Sequence, residues 1–368
     1  MAVYIHQLPH WPKFTWNQES VSTLLAEIRS RQGRLLGRME ALGFQLKAEA
    51  NLQTLTLDVL KSSEIEGELL DAHQVRSSIA RRLGMDIAGL VPSDRNVDGV
   101  TEMLLDATQQ YQLSLTAERL FGWHAALFPT GRSGMHKITV AAWRDNKKDD
   151  PMQVVSGAMG KEIIHFEAPH AERIEEEMRS FIYWYNEDNH MDPVLKAAVA
   201  HLWFVTIHPF DDGNGRMARA ITDMQLSRAD QSALRFYSMS AQIRKERKAY
   251  YDILEHTQKG SMDITNWLSW FIECLGRAIE SSAETLASVL KKARFWEKHA
   301  TTLLNQRQQV MLNKLLDGFD GKLNTSKWAK ITKVSPDTAL RDIQDLLHKK
   351  VLVKEPGGGR STSYVLAE

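Results

Sequence analysis

The chain has 368 residues, of which 43% are hydrophobic and 25% charged, a composition typical of soluble globular proteins rather than of disordered or membrane-embedded ones. Its 46 Lys and Arg residues balance 46 Asp and Glu residues, which excludes a strong overall attraction to nucleic acid or to an anionic membrane. A chain of this length predicts two or three domains.

The lack of a recognisable targeting segment and the low cysteine content favour a cytoplasmic location. The N-terminus lacks a basic segment followed by an apolar run, and no apolar stretch approaches the ~20 residues that a membrane-spanning helix needs. Cys274 is the only cysteine, which excludes an internal disulfide and favours a reducing compartment. We therefore expect a cytoplasmic protein in which Cys274 is a packing residue.

Helical periodicity dominates the first half of the chain. Apolar residues recur at spacings of three and four from residue 17 to about residue 70, which predicts an N-terminal helical region. Further helices are predicted over 96–112, 115–127 and 171–187. The β-prone runs ITVAAW, MQVVS and EIIHF lie between Ile138 and Phe166 and predict a β-hairpin standing on a helical domain. The fold class is mainly α.

A strongly apolar run, PVLKAAVAHLWFVTI, extends from Pro193 to Ile207. Asp192 precedes it as a favourable N-cap, and proline is well suited to the first turn of a helix. A helix that is apolar on nearly all sides belongs at the centre of a core.

The last 64 residues differ in character. Helices are predicted over 305–317, around TSKWAKI and from Pro336 to His348, followed by the strand-like runs VLVKE and SYVL on either side of a GGGR turn. This order is typical of a winged helix. The predicted domains are an N-terminal helical region (1–89), a central domain (90–285), a helical linker (286–304) and a winged helix (305–368).

A dense group of polar and glycine residues, HPFDDGNGRMAR, covers 208–219 directly after the apolar run. Gly213 and Gly215 allow backbone N–H groups to turn inward, and the positive end of the next helix is predicted beside them. Arg216 and Arg219 are three residues apart, hence on one helix face, where both can reach phosphate oxygens. The motif predicts a phosphate cradle with charge enough for a triphosphate.

Two further side chains of the motif can bind a metal ion or accept a proton. Asp212 stands at the mouth of the cradle, where its carboxylate can hold Mg²⁺ together with phosphate oxygens. His208, with a reference pKa near ~6.5, is mostly neutral at pH 7 and can take a proton from a hydroxyl nucleophile. Each residue type alone is more often structural, but their combination in twelve residues favours a nucleotidyl transfer site.

These residues closely resemble the signature of the Fic family, His-x-Phe-x-(Asp/Glu)-Gly-Asn-Gly-Arg-x-x-Arg, which the chain matches at every specified position. The resemblance implies that His208 is the general base, that Asp212 binds Mg²⁺ and that Arg219 binds the γ-phosphate of ATP. It also implies that Phe210 anchors the loop. The α- and β-phosphates would be held by Gly213, Asn214, Gly215 and Arg216. Relatives that transfer other groups typically replace one of the glycines, so AMP transfer is favoured.

The resemblance extends to two neighbouring segments. MQVVSG and EIIHFEAPH look like the family's flap hairpin, on which a target segment docks by strand addition; the flap residues are Val154, Val155, Ser156 and Gly157. ERKAYYDILEHTQKG resembles the segment that closes on adenosine, which makes Tyr250 and Tyr251 candidates for base stacking, with core packing as the alternative. Relatives often have asparagine where this chain has Gln258. IHQLPHWPKFTWN resembles an uncharacterised helical region found ahead of some Fic domains.

The segment SSEIEG, Ser62 to Gly67, resembles the family's inhibitory motif, (Ser/Thr)-x-x-x-Glu-(Gly/Asn). The motif is short, and the alternative is a solvated glutamate at a helix end. Leu55, Val59, Ser62 and Glu66 share one helical stripe, and the glycine can end the helix just beyond. Glu66 is therefore predicted to project from the helix tip and to pair with Arg219.

The resemblance implies an enzyme that transfers AMP from ATP to a hydroxyl side chain of a target protein or of the enzyme itself, with Mg²⁺, under restraint by Glu66. Relatives with this glutamate can also remove AMP, and the family resemblance makes a homodimer a further expectation. The competing hypothesis is a DNA-binding regulator whose Fic core senses nucleotide. Residues 305–368 contain 11 Lys and Arg against 7 Asp and Glu, so their basic character is mild. We predict no zinc site, because His165 and His170 lack metal-ligand spacing.

Overall fold

The computed structural model describes residues 3–85, 87, 89–147, 149–157, 161, 163–188, 190–319, 321–355 and 362–367. The chain divides into two units, one formed by Met1–Leu83 and Pro92–Ala283 and the other by Gly84–Val91 and Glu284–Glu368. None of the described helices is both long and apolar enough to cross a membrane.

The first unit is built mainly of helices, as predicted. In chain order they are α1 (Gln18–Glu40), α2 (Phe44–Ile65), α3 (Ala72–Arg82), α4 (Arg95–Gln109), α5 (Ala117–Leu127), α6 (Ile174–Asn186), α7 (Pro193–Ile207), α8 (Asn214–Asp230), α9 (Met239–Lys245), α10 (Arg247–Gln258) and the first part of α11 (Thr265–Lys298). Several begin with a polar side chain that accepts a first-turn N–H, which satisfies donors that a helix end leaves free.

Helix α7 forms the centre of this unit. Asp192 caps it by accepting the Val194 N–H at 2.8 Å, and every residue from Val194 to Ile207 is buried. Three of its polar side chains, Lys196, His201 and Thr206, have hydrogen-bond partners within the chain; His201, for example, contacts the Thr222 hydroxyl of α8 at 2.9 Å. The prediction of a helix at the core centre is confirmed, and it fixes the start of the loop that follows.

Two short antiparallel strand pairs stand beside the helices. Strands β1 (Arg132–Ser133) and β2 (His136–Lys137) form one, and β3 (Gln153–Ser156) and β4 (Ile163–Glu167) form the other, which confirms the hairpin predicted from MQVVS and EIIHF. Val154 pairs with Phe166 but Val155 pairs with Ile164, so His165 is the extra residue of a β-bulge.

The prediction of a strand at ITVAAW is wrong. Its backbone donors are taken by other parts of the chain: the Thr139 N–H donates to Asp211 Oδ2 at 2.8 Å, and the Ala141 N–H donates to His124 Nδ1 at 3.2 Å. Ala141 also adopts a φ of +57°, which no strand tolerates. The run therefore lines the motif loop as irregular chain, since β-branched composition alone does not supply a strand partner.

The second unit contains the end of α11, then α12 (Gln306–Leu316), α13 (Thr325–Thr332), α14 (Pro336–His348) and the antiparallel strands β5 (Leu352–Lys354) and β6 (Tyr364–Leu366). Trp328 is fully buried among apolar residues of all three short helices. The predicted elements of this unit are confirmed. The GGGR turn lies outside the described residues, and the winged-helix assignment and the domain boundaries stay predictions.

Candidate functional site

The loop between α7 and α8 is closed by its own residues. His208 ends α7 in the left-handed conformation, with φ +52°, and Gly213 precedes α8 with φ +82°. A Cβ on Gly213 would lie 2.9 Å from the ring of Phe128, so only glycine fits there. The Asn214 amide accepts the Phe210 N–H at 3.0 Å and donates to its carbonyl at 2.8 Å. These contacts hold the loop at the N-terminus of α8.

His208 is set up as a neutral base. Its Nδ1 lies 3.3 Å from the carbonyl oxygen of Val205, which can only accept, so Nδ1 carries the proton and Nε2 is left as an acceptor. Burial, reinforced by the positive charge of Arg144, lowers the pKa of His208 to about 4. At neutral pH the ring is therefore unprotonated at Nε2.

Hydrogen bonds hold the Asp212 carboxylate in place and leave both of its oxygens able to bind a further group. Its Oδ1 accepts the Gly213 N–H at 2.5 Å, and its Oδ2 accepts the hydroxyl of Ser133. Each oxygen keeps a further lone pair. No cluster of three or more His, Cys, Asp or Glu forms a metal cage within the described residues. A single carboxylate beside a phosphate site fits Mg²⁺, which typically takes one or two carboxylates together with phosphate oxygens and water.

The two arginines of the motif meet the end of α2. Arg219 is buried and donates from Nη2 to Glu66 Oε1 at 2.7 Å and from Nε to the Ser62 hydroxyl at 2.9 Å. Arg216 donates to Glu68 at 2.8 Å. Arg219 Nη1 and Arg216 Nε are buried without hydrogen-bond partners among the described residues. Both guanidinium groups therefore keep donors that an anion could use.

Glu66 occupies the place that the sequence pattern predicts. It follows the last residue of α2, and Gly67 turns the chain away with φ +86°. Its carboxylate lies so close to the start of α8 that a Cβ on Gly215 would meet Glu66 Oε1 at 2.2 Å. The absence of a side chain at Gly215 thus leaves room for this carboxylate.

The two tyrosines of α10 differ in environment. Tyr250 is buried, with its hydroxyl 2.8 Å from His201 Nε2, and burial raises its pKa. Tyr251 is half-buried, and the guanidinium of Arg247 lies 5.0 Å from its ring centroid. Gln258, where relatives often have asparagine, donates to Thr206 Oγ1 at 3.2 Å. Tyr250 therefore packs in the core with its edge at the site, and Tyr251 is the more accessible ring.

A cavity of about 420 Å³ lies beside His208 and Glu66. Its lining comes from the end of α2, the motif loop, the β3–β4 hairpin and α10, and includes Glu66, Val154, Val155, Ser156, His208, Gly215, Tyr250, Tyr251 and Gln258. Gly157 follows β3 with φ +107° and is not among the lining residues. Small-molecule sites commonly have volumes of about 300–1,000 Å³, so the cavity suits a nucleotide.

Comparison with known proteins assigns this region to a family. The model of the Fic/DOC family matches residues 114–226. The chain contains a Fic domain. A model described as a domain of unknown function, DUF4172, matches residues 4–85, in agreement with the resemblance noted for the N-terminal segment. The Fic domain supplies the motif loop and the hairpin, and the N-terminal domain supplies Glu66.

Curated relatives match part of the chain. Over 105 residues it is 32% identical to "Protein adenylyltransferase Fic" of Drosophila grimshawi and 34% identical to the protein of the same name from Culex quinquefasciatus. The match covers 28% of this chain, and 20% and 19% of the two relatives. The chain thus spans about a fifth of each relative's length.

Solved structures share the fold over a longer stretch. A Fic family protein from Desulfovibrio desulfuricans G20 superposes with a TM-score of 0.54 at 19% identity, covering 97% of this chain and 98% of that one. A Fic domain containing signaling protein from Bacteroides thetaiotaomicron VPI-5482 gives 0.52 at 19% identity, covering 71% of this chain and 97% of that one. At this identity the likeness shows the fold alone.

Two residues of the Fic domain that sequence reasoning missed hold its loop. Arg144 is buried and donates to the His208 carbonyl at 2.7 Å and to the Pro169 carbonyl at 2.5 Å; burial lowers its pKa to about 10. His124 stacks on Phe210 with 4.3 Å between ring centroids and contacts the Asp212 carbonyl at 3.1 Å. Both lie far from the motif in sequence, and no local pattern marks them.

Proposed function

We propose that this protein transfers AMP from ATP to a hydroxyl side chain of a protein. The observation that carries the proposal is that a neutral His208 and the N-terminus of α8 line one cavity. Helix α8 also carries two arginines, Arg216 and Arg219, each with a buried donor that has no partner among the described residues. The relatives named protein adenylyltransferase support the same reaction. Positioning of a nucleophile, a base and a triphosphate is what such a transfer requires.

Different residues bind the phosphates, accept the proton and hold the metal ion. The backbone from Gly213 to Arg216 binds the α- and β-phosphates at the helix N-terminus, and Arg219 binds the γ-phosphate. His208 takes the proton of the incoming hydroxyl, which then attacks the α-phosphorus while pyrophosphate leaves. Asp212 would hold Mg²⁺, which supplies neutralisation of phosphate charge when bound.

A protein target is proposed to dock on the hairpin. Among the described residues β3 pairs only with β4, so its outer edge offers free backbone groups to an added strand. Val155, Ile163 and Ile164 are 48%, 61% and 45% exposed, which is unusual for apolar side chains beside a cavity. Main-chain pairing would align the target, and these side chains would contact its alternate residues.

Glu66 is proposed to restrain the reaction. Its carboxylate uses the Arg219 donor that the γ-phosphate would need, so ATP binds either weakly or with its α-phosphorus misaligned. Displacement of the α2 end would release the arginine. The restraint is thus a competition between two anions for one guanidinium.

The test uses ATP labelled at either the α- or the γ-phosphate, with Mg²⁺ and a whole-cell protein extract as acceptor. Glu66→Gly is expected to transfer the α label to protein and to leave the γ label free. His208→Ala in the same background should abolish transfer while leaving the circular dichroism melt of the protein nearly unchanged. Transfer of the γ label would indicate a kinase and would overturn the proposal.

A second function, DNA binding, is favoured by one observation on α14. Asp342 and Asp345, whose charges would oppose DNA, both accept hydrogen bonds from α12 rather than pointing outward. The exposed face carries Arg341, Gln344 and His348. In a winged helix this helix enters the major groove. Binding of mixed-sequence duplex DNA by the full chain should weaken steeply between about 50 and 200 mM salt and drop on Arg341→Ala; no binding at low salt would exclude this role.

A further inference from the structure

A second carboxylate, that of Glu68, contacts the arginines of α8. Its Oε2 accepts a hydrogen bond from Arg216 Nη1 at 2.8 Å. The Arg216 side chain is only 8% exposed, whereas the Glu68 side chain is 35% exposed, so the arginine is the buried member of the pair. Glu68 follows the segment SSEIEG and is not part of it, and the proposed restraint by Glu66 does not use it.

The turn at the end of α2 places both carboxylates. Gly67, with φ +86°, donates its N–H to the Glu64 carbonyl at 3.1 Å. The Glu68 N–H donates to the Ser63 carbonyl at 3.0 Å. These two bonds form the Schellman motif, which commonly ends a helix with a left-handed glycine. Glu66 and Glu68 lie on either side of that glycine and pair with two arginines that are three residues apart, hence on one face of α8.

Arg216 lies beside the start of α8. Its guanidinium carbon is 5.1 Å from the centre of the Phe128 ring, and a Cβ on Gly213 would lie 2.9 Å from the same ring. The guanidinium is therefore close to the helix N-terminus at which the α- and β-phosphates are proposed to bind. Its Nε is buried and has no partner among the described residues, so the pair with Glu68 leaves part of the guanidinium unused. A phosphate at this place would compete with Glu68 for the donors of Arg216.

We infer that Glu68 is a second restraining residue, which occupies a donor of Arg216 that the α- and β-phosphates would use. This rests on the proposed function, in which these phosphates bind at the N-terminus of α8. Glu66 opposes the γ-phosphate through Arg219, so the two carboxylates act on different parts of the phosphate chain. Release of Glu66 alone therefore leaves bound ATP opposed by Glu68.

The two restraints differ in the nucleotides that they oppose. ADP has no γ-phosphate, so Glu66 opposes it little, whereas Glu68 opposes ADP and ATP alike. Isothermal titration of the full chain with ADP and with ATP, both with Mg²⁺, measures this difference. Glu68→Gln keeps the size of the side chain and removes its charge. It should lower the Kd for ADP and the Kd for ATP by the same factor, about 3- to 10-fold, because solvent screens part of the pair.

Two further variants identify the group that is released. Adding Arg216→Ala to Glu68→Gln should abolish the gain in affinity, since the gain arises at that arginine. Glu64→Gln is the matched control, because Glu64 lies at the same end of α2 but pairs with Lys61 and Arg244. It removes an equal charge without contacting Arg216, and it should change either Kd by less than about twofold.

A merely structural role of Glu68 gives a different result. It would lower the melting temperature of the nucleotide-free protein and leave the Kd for ADP unchanged. Unchanged ADP affinity in Glu68→Gln, or an equal gain in Glu64→Gln, would overturn the inference. Glu68→Ala provides the same comparison if Glu68→Gln does not fold.

Transfer of the α label separates this inference from the proposed function. In the Glu66→Gly background, at ATP concentrations below the Kd, Glu68→Gln should raise the initial rate of transfer by about 3- to 10-fold. If Glu66→Gly transfers label and Glu68→Gln does not speed the transfer, the inference is overturned and AMP transfer stands. Tighter ADP binding in Glu68→Gln, without any transfer of label to protein, would overturn AMP transfer and leave the competition between Glu68 and phosphate for Arg216 standing.

Discussion

Replacing Glu66 by glycine is expected to tighten ATP binding while destabilising the nucleotide-free protein. Glu66 accepts one hydrogen bond, at 2.7 Å, from an arginine that is otherwise buried. Without the carboxylate, Arg219 keeps its bonds to the Ser62 hydroxyl and carbonyl, both at 2.9 Å, so it should stay in position. The freed donors would then be available to the γ-phosphate.

The size of the expected stability loss depends on how far solvent reaches the Glu66–Arg219 pair. A hydrogen bond between charged groups contributes about 1.5–3 kcal/mol, but the Glu66 side chain is 32% exposed, which lets solvent screen the pair. We therefore expect the free energy of unfolding to fall by about 1–2 kcal/mol. In the variant, ATP no longer has to displace the carboxylate from Arg219. The same free energy should therefore lower the Kd for ATP by about 5- to 30-fold.

Isothermal titration with ATP and with ADP measures this effect. ADP lacks the γ-phosphate, so its Kd should change less than about twofold if the gain arises at Arg219. Glu64→Gly is the matched control, because Glu64 lies at the same helix end but pairs with Lys61 and Arg244. Equal ATP affinity in wild type and Glu66→Gly, or equal tightening for ADP, would refute the competition.

Three further predictions concern the base, the loop and the helical core. Because burial lowers the pKa of His208 to about 4, kcat/KM for AMP transfer should stay flat from about pH 8 to about pH 5 and fall below that as the ring gains a proton; an acid limb near pH 6.5 would contradict this. Phe210→Ala empties a fully buried site and should lower urea stability by about 3–5 kcal/mol; a loss below about 1 kcal/mol would show that the ring is not an anchor. Gly99→Ala should lower the free energy of unfolding by about 1–3 kcal/mol in the same assay, because the added Cβ would lie 1.8 Å from the Ala126 carbonyl oxygen. Gly122→Ala is the control, because its Cβ would meet nothing within 4 Å, and it should be neutral or stabilising. Equal effects of the two substitutions would contradict the packing.

The helices and the motif loop could be predicted because their determinants are local. An α-helix satisfies its own backbone four residues away, so the apolar periodicity of α7 and the cap at Asp192 were sufficient. The motif loop is equally local, since Asn214 bonds to the backbone of Phe210 and the Gly213 N–H donates to Asp212, all within the motif. The contact between Glu66 and Arg219 joins residues far apart in sequence, and it was predicted from a family resemblance rather than from the spacing of residues.

What could not be predicted depends on distant partners. ITVAAW has strand-like composition, but the donors of Thr139 and Ala141 are taken by Asp211 and His124, which only the folded chain brings near. The register of β3 against β4 shifts by one residue at the His165 bulge, and the sequence does not specify this shift.

The products formed from ATP test the central claim most directly. Glu66→Gly protein is incubated with Mg²⁺, ATP and acceptor protein, and protein-bound AMP, pyrophosphate, ADP and protein-bound phosphate are quantified together. AMP transfer through His208 predicts pyrophosphate equal in amount to protein-bound AMP, no ADP, and loss of both products on His208→Ala. Formation of ADP with phosphate on protein, or pyrophosphate release that survives His208→Ala, would contradict the account.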